Sequence, residues 1–241
     1  MTMIDVPLYE NERIDDLQLN GLHIIQNTMG FCFGVDAVLL SDFCKDRIGK
    51  GAKVLDMGTG TGIIPILLTE KTKASYFTAI DIQEQCVDMA TRSVLMNGLS
   101  DRMDVRLCDI KAAGDTFPAA SFDVITTNPP YMIADHGLLN PNEPKNISRH
   151  EILCDLKDIV SNSAKLLCPG GRLFMIHKPF RLVEIFEAMR ENKIEPKRMQ
   201  LVHSYIDKEP TMVMIEGIRG GNPRLKIEPP IIMYKREEEN K

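Results

Sequence analysis

From residue 53 onward, short apolar runs alternate with stretches of helical period, and that alternation restricts the fold more than any other feature. Strands buried on both faces read as near-continuous apolar runs, and parallel neighbours need a long crossover, usually a helix. The pattern predicts strands over Lys53–Met57, Tyr76–Ile80, Met103–Leu107 and Ser121–Thr127, with helices over Ile63–Glu70 and Glu84–Asn97. Pro65 falls in the opening turn of the first helix, where a missing N–H costs little. A further helix over Glu151–Leu167 is stopped by Pro169-Gly170-Gly171, and a fifth strand, Arg172–His177, leads to a helix over Phe180–Asn192. Met199–Tyr205 and Thr211–Gly217 have no helix between them, so they predict an antiparallel hairpin at a sheet edge. The fold class is α/β, built on a mostly parallel sheet.

A chain of 241 residues is long enough for one such domain with a small extension. The extension is read as residues 1–48, with a short apolar helix over Ala37–Phe43 capped by Asp36, and the domain proper as 49–241. No window approaches the roughly 20 apolar residues that span a bilayer, and the start carries no charged segment ahead of an apolar core. A cytoplasmic protein without a membrane partner is expected. The six cysteines include no Cys-x-x-Cys pair, which predicts reduced core thiols and no metal. A net charge of −5 argues against generic coating of nucleic acid but is compatible with a local basic surface.

Between the first strand and its helix lies Asp56-Met57-Gly58-Thr59-Gly60-Thr61-Gly62. Glycines in such a turn let a ligand approach backbone atoms that a Cβ would screen. Residue 63 is Ile, so the dinucleotide fingerprint fails, and no Gly-Lys-Ser/Thr follows to make a phosphate loop. Asp81 closes the second strand about 20 residues after the last glycine, where a carboxylate accepts from both ribose hydroxyls. Asp109 closes the third strand within reach of an adenine amine, and Asp56 lies beside the turn, where it attracts a cationic methionine end. A sulfonium suits this acidic rim better than a pyrophosphate does. Taken singly, each Asp reads as a turn residue or helix cap. Three at successive strand ends favour a nucleoside cofactor.

Asn128-Pro129-Pro130-Tyr131 follows the fourth strand, and its prolines end that strand. In an open α/β sheet the first and fourth strands are neighbours where strand order reverses, which is the usual ligand crevice. An exocyclic amine on an aromatic ring is a poor nucleophile because its lone pair is delocalised. The Asn128 side-chain oxygen and the Pro129 carbonyl can accept its two hydrogens and turn the lone pair toward a methyl group. The prolines keep that carbonyl on a stiff backbone, and Tyr131 can stack on the base, a contact worth about 1–3 kcal/mol. Asn128 has no useful pKa, so positioning rather than proton transfer carries the reaction. In isolation the tetrapeptide also reads as a rigid turn.

In one order and register, the Asp56–Gly62 turn, Asp81, Asp109 and the tetrapeptide resemble the class I S-adenosylmethionine-dependent methyltransferases, over about residues 50–219. The resemblance implies a Rossmann-like fold whose seven-stranded, mostly parallel sheet carries an antiparallel edge hairpin. It implies S-adenosylmethionine as cofactor, held by Asp56, Met57, Gly58, Gly60, Gly62, Asp81, Ile82, Asp109, Ile110 and Asn128. It also implies methyl transfer to a planar nitrogen at Asn128, Pro129, Pro130 and Tyr131. Adenine N6, guanine N2 and the glutamine side-chain amide are the targets of enzymes with similar tetrapeptides.

The opening from Leu17 to Gln26, the stretch Gly30–Leu40 and the closing Gly220-Gly221-Asn222-Pro223 and Pro229-Pro230 resemble the bacterial tRNA1(Val) (adenine-37-N6)-methyltransferase family. That resemblance implies a tRNA anticodon loop as partner and an opening segment that covers the methionine part of the cofactor through Phe33, Gly34 and Asp36. Val35 stands where related sequences often carry a hydroxyl residue. Release-factor glutamine methyltransferases share the tetrapeptide but usually carry a substantial N-terminal helical domain, and only about 50 residues precede the first strand here. Guanine-N2 methylation of ribosomal RNA and a non-catalytic binding module are the other readings. Residues 132–149 read as a surface loop or as a segment that orders on RNA, with Lys145 and Arg149 gripping phosphates. Lys178 and Arg224 are further candidates for RNA contact. An anticodon-loop adenine is already partly exposed, so extruding it costs little.

Overall fold

The computed structural model describes residues 4–30, 34–131 and 155–234. Strands β1 (Glu12–Asp16) and β2 (His23–Asn27) form a separate hairpin, and α1 (Val35–Cys44) follows it. Alternation then begins with β3 (Lys53–Met57), α2 (Ile63–Lys71), β4 (Tyr76–Asp81), α3 (Glu84–Met96), β5 (Met103–Leu107), α4 (Ile110–Thr116) and β6 (Phe122–Thr127). It continues with α5 (Leu156–Leu166), β7 (Leu167–His177), α6 (Leu182–Glu191), β8 (Ile194–His203) and β9 (Pro210–Arg219). The seven long strands lie in the order β5-β4-β3-β6-β7-β9-β8, parallel except for β9, which runs against both neighbours.

Seven strands and an antiparallel hairpin are as expected, but the hairpin is not a bare edge. Two two-residue strands, β10 (Lys226–Ile227) and β11 (Ile231–Ile232), pair in parallel along the outer side of β8. They cover backbone groups that an edge strand would leave open to another chain.

Alternation along each strand feeds two cores. Val54, Phe174, Ile176 and Met214 pack with α1, α2 and α3 on one face, while Leu55, Leu173, Met175, Val213 and Ile215 pack with α4, α5 and α6 on the other. Successive side chains point to opposite faces, so a strand covered on both sides must be apolar at every position. Period-2 burial on both faces is why these strands were visible as continuous runs.

Three local features depart from the pattern. Helix α5 ends at Leu166 and β7 starts at once, so Pro169-Gly170-Gly171 is an irregularity inside the strand rather than a stop ahead of it. Gly170 takes φ 79°, and a Cβ on Gly171 would fall 2.8 Å from the Cys168 carbonyl oxygen. Helix α4 has only seven residues, too few to show a period, and it starts where Asp109 accepts from the Lys111 N–H. Strands β8 and β9 extend to Ile194 and Arg219, past a register shift at Pro196 that interrupts the sequence pattern.

Polar contacts hold the N-terminal segment to the sheet domain. Ile25 N–H donates to Ser93 Oγ at 2.9 Å, His23 N–H donates to Asn97 Oδ1 at 2.9 Å, and Asn97 Nδ2 returns a bond to the His23 carbonyl at 2.7 Å. Arg92, buried on α3, donates to both carboxylate oxygens of Glu12 at 2.7 Å and lies 4.4 Å from the centre of the Tyr9 ring. Helix α1 is fixed differently. Phe43 packs edge-on against Phe174 at 6.1 Å, and the Arg198 guanidinium stacks 3.8 Å over Phe43 while donating to its carbonyl. Arg198 and Arg172 both pair with Glu216, which is 2% exposed on β9.

A buried carboxylate between two cations cannot be removed without leaving them uncompensated. Glu216→Ala is expected to cost roughly 3 kcal/mol of stability, read as a lower urea midpoint at unchanged slope. An unchanged midpoint would show that the two arginines are adequately hydrated alone.

Candidate active site

The site forms where β3 and β6 end together. Asp56 pairs in register with Thr126, and Met57 with Thr127, so the turn after Met57 and the tetrapeptide after Thr127 leave adjacent strands at the same end of the sheet. The chain's two chemical motifs therefore face one crevice.

Gly58, Gly60 and Gly62 take φ of 70°, 55° and 87°, a left-handed run that side chains rarely adopt. The Gly58 and Thr59 N–H groups both donate to the Ile80 carbonyl at 2.9 Å, and the Gly60 N–H donates to Asp81 Oδ2 at 2.8 Å. A Cβ on Gly60 would meet nothing within 4 Å, so the turn faces open space there, whereas one on Gly62 would come within 3.3 Å of Ala90 Cβ. The glycines thus serve conformation, access and helix packing in turn.

Asp81 is buried and accepts from the Gln83 N–H at 2.9 Å as well, and burial pushes its pKa up against those donors. Each oxygen keeps a lone pair beyond the backbone bond it accepts. Asp56 is buried more completely. Its Oδ1 accepts from Thr126 Oγ1 at 2.5 Å, its Oδ2 has no partner, and neither has the nearby Thr59 hydroxyl. Burial, outweighing the Thr126 and Thr59 hydroxyls that face it, pushes the Asp56 carboxyl up to about 6. An orphaned buried carboxylate oxygen beside an open glycine turn fits a cationic group.

The other expected cofactor residues divide. Ile82 is exposed at the rim after Asp81, and Ile110 reaches 3.7 Å from where a Gly58 Cβ would stand. Asp109 is committed through one oxygen to capping α4. The Met57 side chain points into the core, where Ser163 Oγ approaches its sulfur at 3.7 Å, so only its backbone borders the turn.

Asp36 does not cap α1 as expected. The N-cap of α1 is Gly34, and Asp36 sits inside the first turn, where its Oδ1 accepts from the Ala37 N–H at 3.0 Å. Its Oδ2 accepts from Asn128 Nδ2 at 3.0 Å and from Tyr131 Oη at 2.8 Å, while Tyr131 Oη also lies 2.7 Å from Asn128 Oδ1. Burial, with Asp36 adding to it, raises the Tyr131 pKa well above the ordinary phenol value. Lys178 Nζ lies 4.8 Å from the centre of the Tyr131 ring and His177 meets that ring edge-on at 5.5 Å. Part of the ring expected to stack on a base is therefore already in contact with protein. His177 accepts from the Lys178 N–H, and burial pushes it down to about 4, so it is neutral at neutral pH.

Lys178 thus belongs to the site, whereas Arg224 does not. Arg224 follows β9, which runs antiparallel, so its end at Arg219 lies beside the start of β8, at the opposite end of the strands from the tetrapeptide. Phe33, Lys145 and Arg149 lie outside the described residues, as does the 132–149 segment. Sequence reasoning missed His177 and the Asp36–Asn128–Tyr131 contact, whose partners are 92 and 95 residues apart and share no local pattern. Among the described residues no three potential metal ligands cluster, and no helix is long and apolar enough to cross a membrane.

A family model described as methyltransferase small domain matches residues 34–194. A tRNA1(Val) (adenine(37)-N6)-methyltransferase of a Flavobacteriaceae bacterium (strain 3519-10) is 29% identical over 77% of this chain and 76% of its own. The protein of the same description from Parabacteroides distasonis is 30% identical over 76% of this chain and 75% of its own. In fold, the chain is similar to a crystal structure described as a predicted O-methyltransferase from Agrobacterium tumefaciens, with a TM-score of 0.66, 21% identity, and coverage of 83% of this chain and 88% of that one. The acidic, glycine-lined crevice fits a nucleoside ligand with a cationic end. With most of the sheet, the glycine turn and the tetrapeptide inside the matched span, the chain belongs to the methyltransferase small domain family.

Proposed function

We propose that this enzyme methylates adenine N6 in tRNA, at position 37 of tRNA1(Val). The observation that carries the reading is the register of β3 with β6, which sets the Asn128 amide beside the turn that follows Asp56. The nucleic-acid target is supported by relatives of that description matching this chain over three quarters of its length. Such a substrate makes the cytoplasm its compartment and the anticodon loop its point of contact.

S-adenosylmethionine supplies the methyl group. Asp56, with its unpartnered oxygen, attracts the cationic methionine end; the Gly58–Gly62 backbone lets it approach; Asp81 accepts from the ribose; Ile82, Asp109 and Ile110 border the base. Residues 1–48 act as a cover, supported by the hairpin docked on α3 and by the start of α1 at the tetrapeptide. Asn128 Oδ1 and the Pro129 carbonyl accept the two amine hydrogens, which holds the lone pair toward the methyl carbon. His177 is neutral and Tyr131 stays protonated, so neither serves as a base at neutral pH. The proton of the methylated amine leaves to solvent after transfer.

Labelled methyl groups offered with unmodified bulk tRNA, free release factor and ribosomal RNA should enter tRNA, and nucleoside mass spectrometry should find N6-methyladenosine. Label in release factor and none in tRNA would overturn the reading. Asn128→Ala should cut turnover about a hundredfold or more while cofactor binding persists, and equal loss of both would deny Asn128 its substrate role.

Asp56 gives a pH test. A carboxyl raised to about 6 is charged above that pH, so the cofactor should bind about tenfold more weakly at pH 5 than at pH 7. Because its folded pKa lies above the unfolded value of 3.8, the charge opposes folding at neutral pH, and that penalty fades as pH falls below about 6. Asp56→Asn should therefore raise the melting temperature of the empty protein and weaken S-adenosylmethionine in calorimetry. A variant with lower stability and unaltered affinity would contradict both halves.

A further inference from the structure

The triangle of Asp36, Asn128 and Tyr131 contains three contacts but is one hydrogen short. Asn128 Nδ2 serves the contact to Asp36 Oδ2, and the single hydroxyl hydrogen of Tyr131 faces two acceptors, Asp36 Oδ2 at 2.8 Å and Asn128 Oδ1 at 2.7 Å. An ionised carboxylate and an amide oxygen can only accept. The charged acceptor binds the hydrogen more strongly. The phenol oxygen then faces Asn128 Oδ1 with lone pairs on both sides, and any group that brings an N–H to that oxygen relieves the contact.

We propose that Asp36 is a positioning residue that orients the Asn128 amide, and that the Tyr131 hydroxyl occupies the place of the substrate amine until the base arrives. A carboxylate selects the amide orientation with Nδ2 turned toward it, because the opposite flip would oppose two oxygens at 3.0 Å. Oδ1 is thereby left as an acceptor for an amine. A base with a carbonyl at the same position meets oxygen with oxygen and is rejected, which makes Asp36 a determinant of amine specificity.

Asp36 is itself held in place. The Ala37 N–H binds its other oxygen, the first turn of α1 favours a carboxylate electrostatically, and a Cβ on Gly34 would stand 2.7 Å from Asp36 Oδ1. Phe43, near the far end of α1, is clamped between Phe174 and Arg198. On substrate arrival the Tyr131 hydroxyl moves off Asn128 Oδ1 with its hydrogen still directed to Asp36, and an amine hydrogen takes its place at Oδ1.

The inference rests on the amine-methylating reading of the site, and two kinds of readout separate them. In the empty, full-length protein, the side-chain NH2 signals of Asn128, identified by their loss in Asn128→Ala, should shift in Asp36→Asn and in Tyr131→Phe; signals unmoved in both variants would overturn the proposal whatever the substrate. With unmodified bulk tRNA, Asp36→Asn should lower kcat about tenfold or more while the Kd for S-adenosylmethionine changes less than about threefold. Weakened cofactor binding with kcat preserved at saturation would make Asp36 a cofactor ligand instead and defeat it. Tyr131→Phe should lower the KM for tRNA severalfold, and a raised KM would mean that the hydroxyl helps to hold substrate. If the unaltered protein transfers nothing to tRNA, the functional reading fails while the NMR outcome still decides the role of Asp36.

Discussion

The pairing of β3 with β6 is the constraint on which the rest depends. Connections on either side of it run toward opposite edges of the sheet, so the two strand ends leave a crevice that no crossover helix fills. In that register Thr126 hydrogen-bonds the carboxylate of Asp56 and Thr127 bonds the Met57 carbonyl, so the two motifs are tied together by side chains as well as by the ladder. A slip of one residue would turn Asp56 and Thr126 into the opposite core and would separate the glycine turn from the tetrapeptide. Register and site are one requirement.

Much of the sheet was legible because its strands are buried on both faces. Val54 and Leu55 enter different cores, as do Phe174 and Met175, and such strands cannot hide in a sequence. The glycine turn and tetrapeptide were legible for a related reason, since open left-handed backbone and a proline-stiffened turn demand particular residues. What escaped was of another kind. Helix α4 is too short for a period, β10 and β11 have two residues each, and the Pro169-Gly170-Gly171 irregularity uses the same residues as a helix stop. The partnership of Asp36 with Asn128 and Tyr131 depends on how α1 lies against the sheet, which Phe43, Phe174, Arg198 and Glu216 decide jointly from four distant parts of the chain.

The site also accepts costs that a stability optimum would avoid. Asp56 sits buried with an unpartnered oxygen, and Asp81 is charged only against the penalty of burial. Elsewhere the buried charges are compensated: Glu216 by two arginines and Arg92 by Glu12 and Asp88. Uncompensated charge is concentrated where a cationic ligand is expected, which is the distribution a preorganised binding site requires. Ligand binding then offsets part of the desolvation that folding alone could not.

Asn128 illustrates how little such a site needs from acid–base chemistry. An amide can neither take nor give a proton at neutral pH, and the neighbouring His177 and Tyr131 are pushed by burial away from the pKa values at which they could. On the proposed reading, burying the surroundings of the tetrapeptide protects a purely geometric task, the presentation of one acceptor in one orientation. The residue that sets this orientation comes from the segment ahead of the sheet domain, so docking of α1 and organisation of the catalytic turn are the same event.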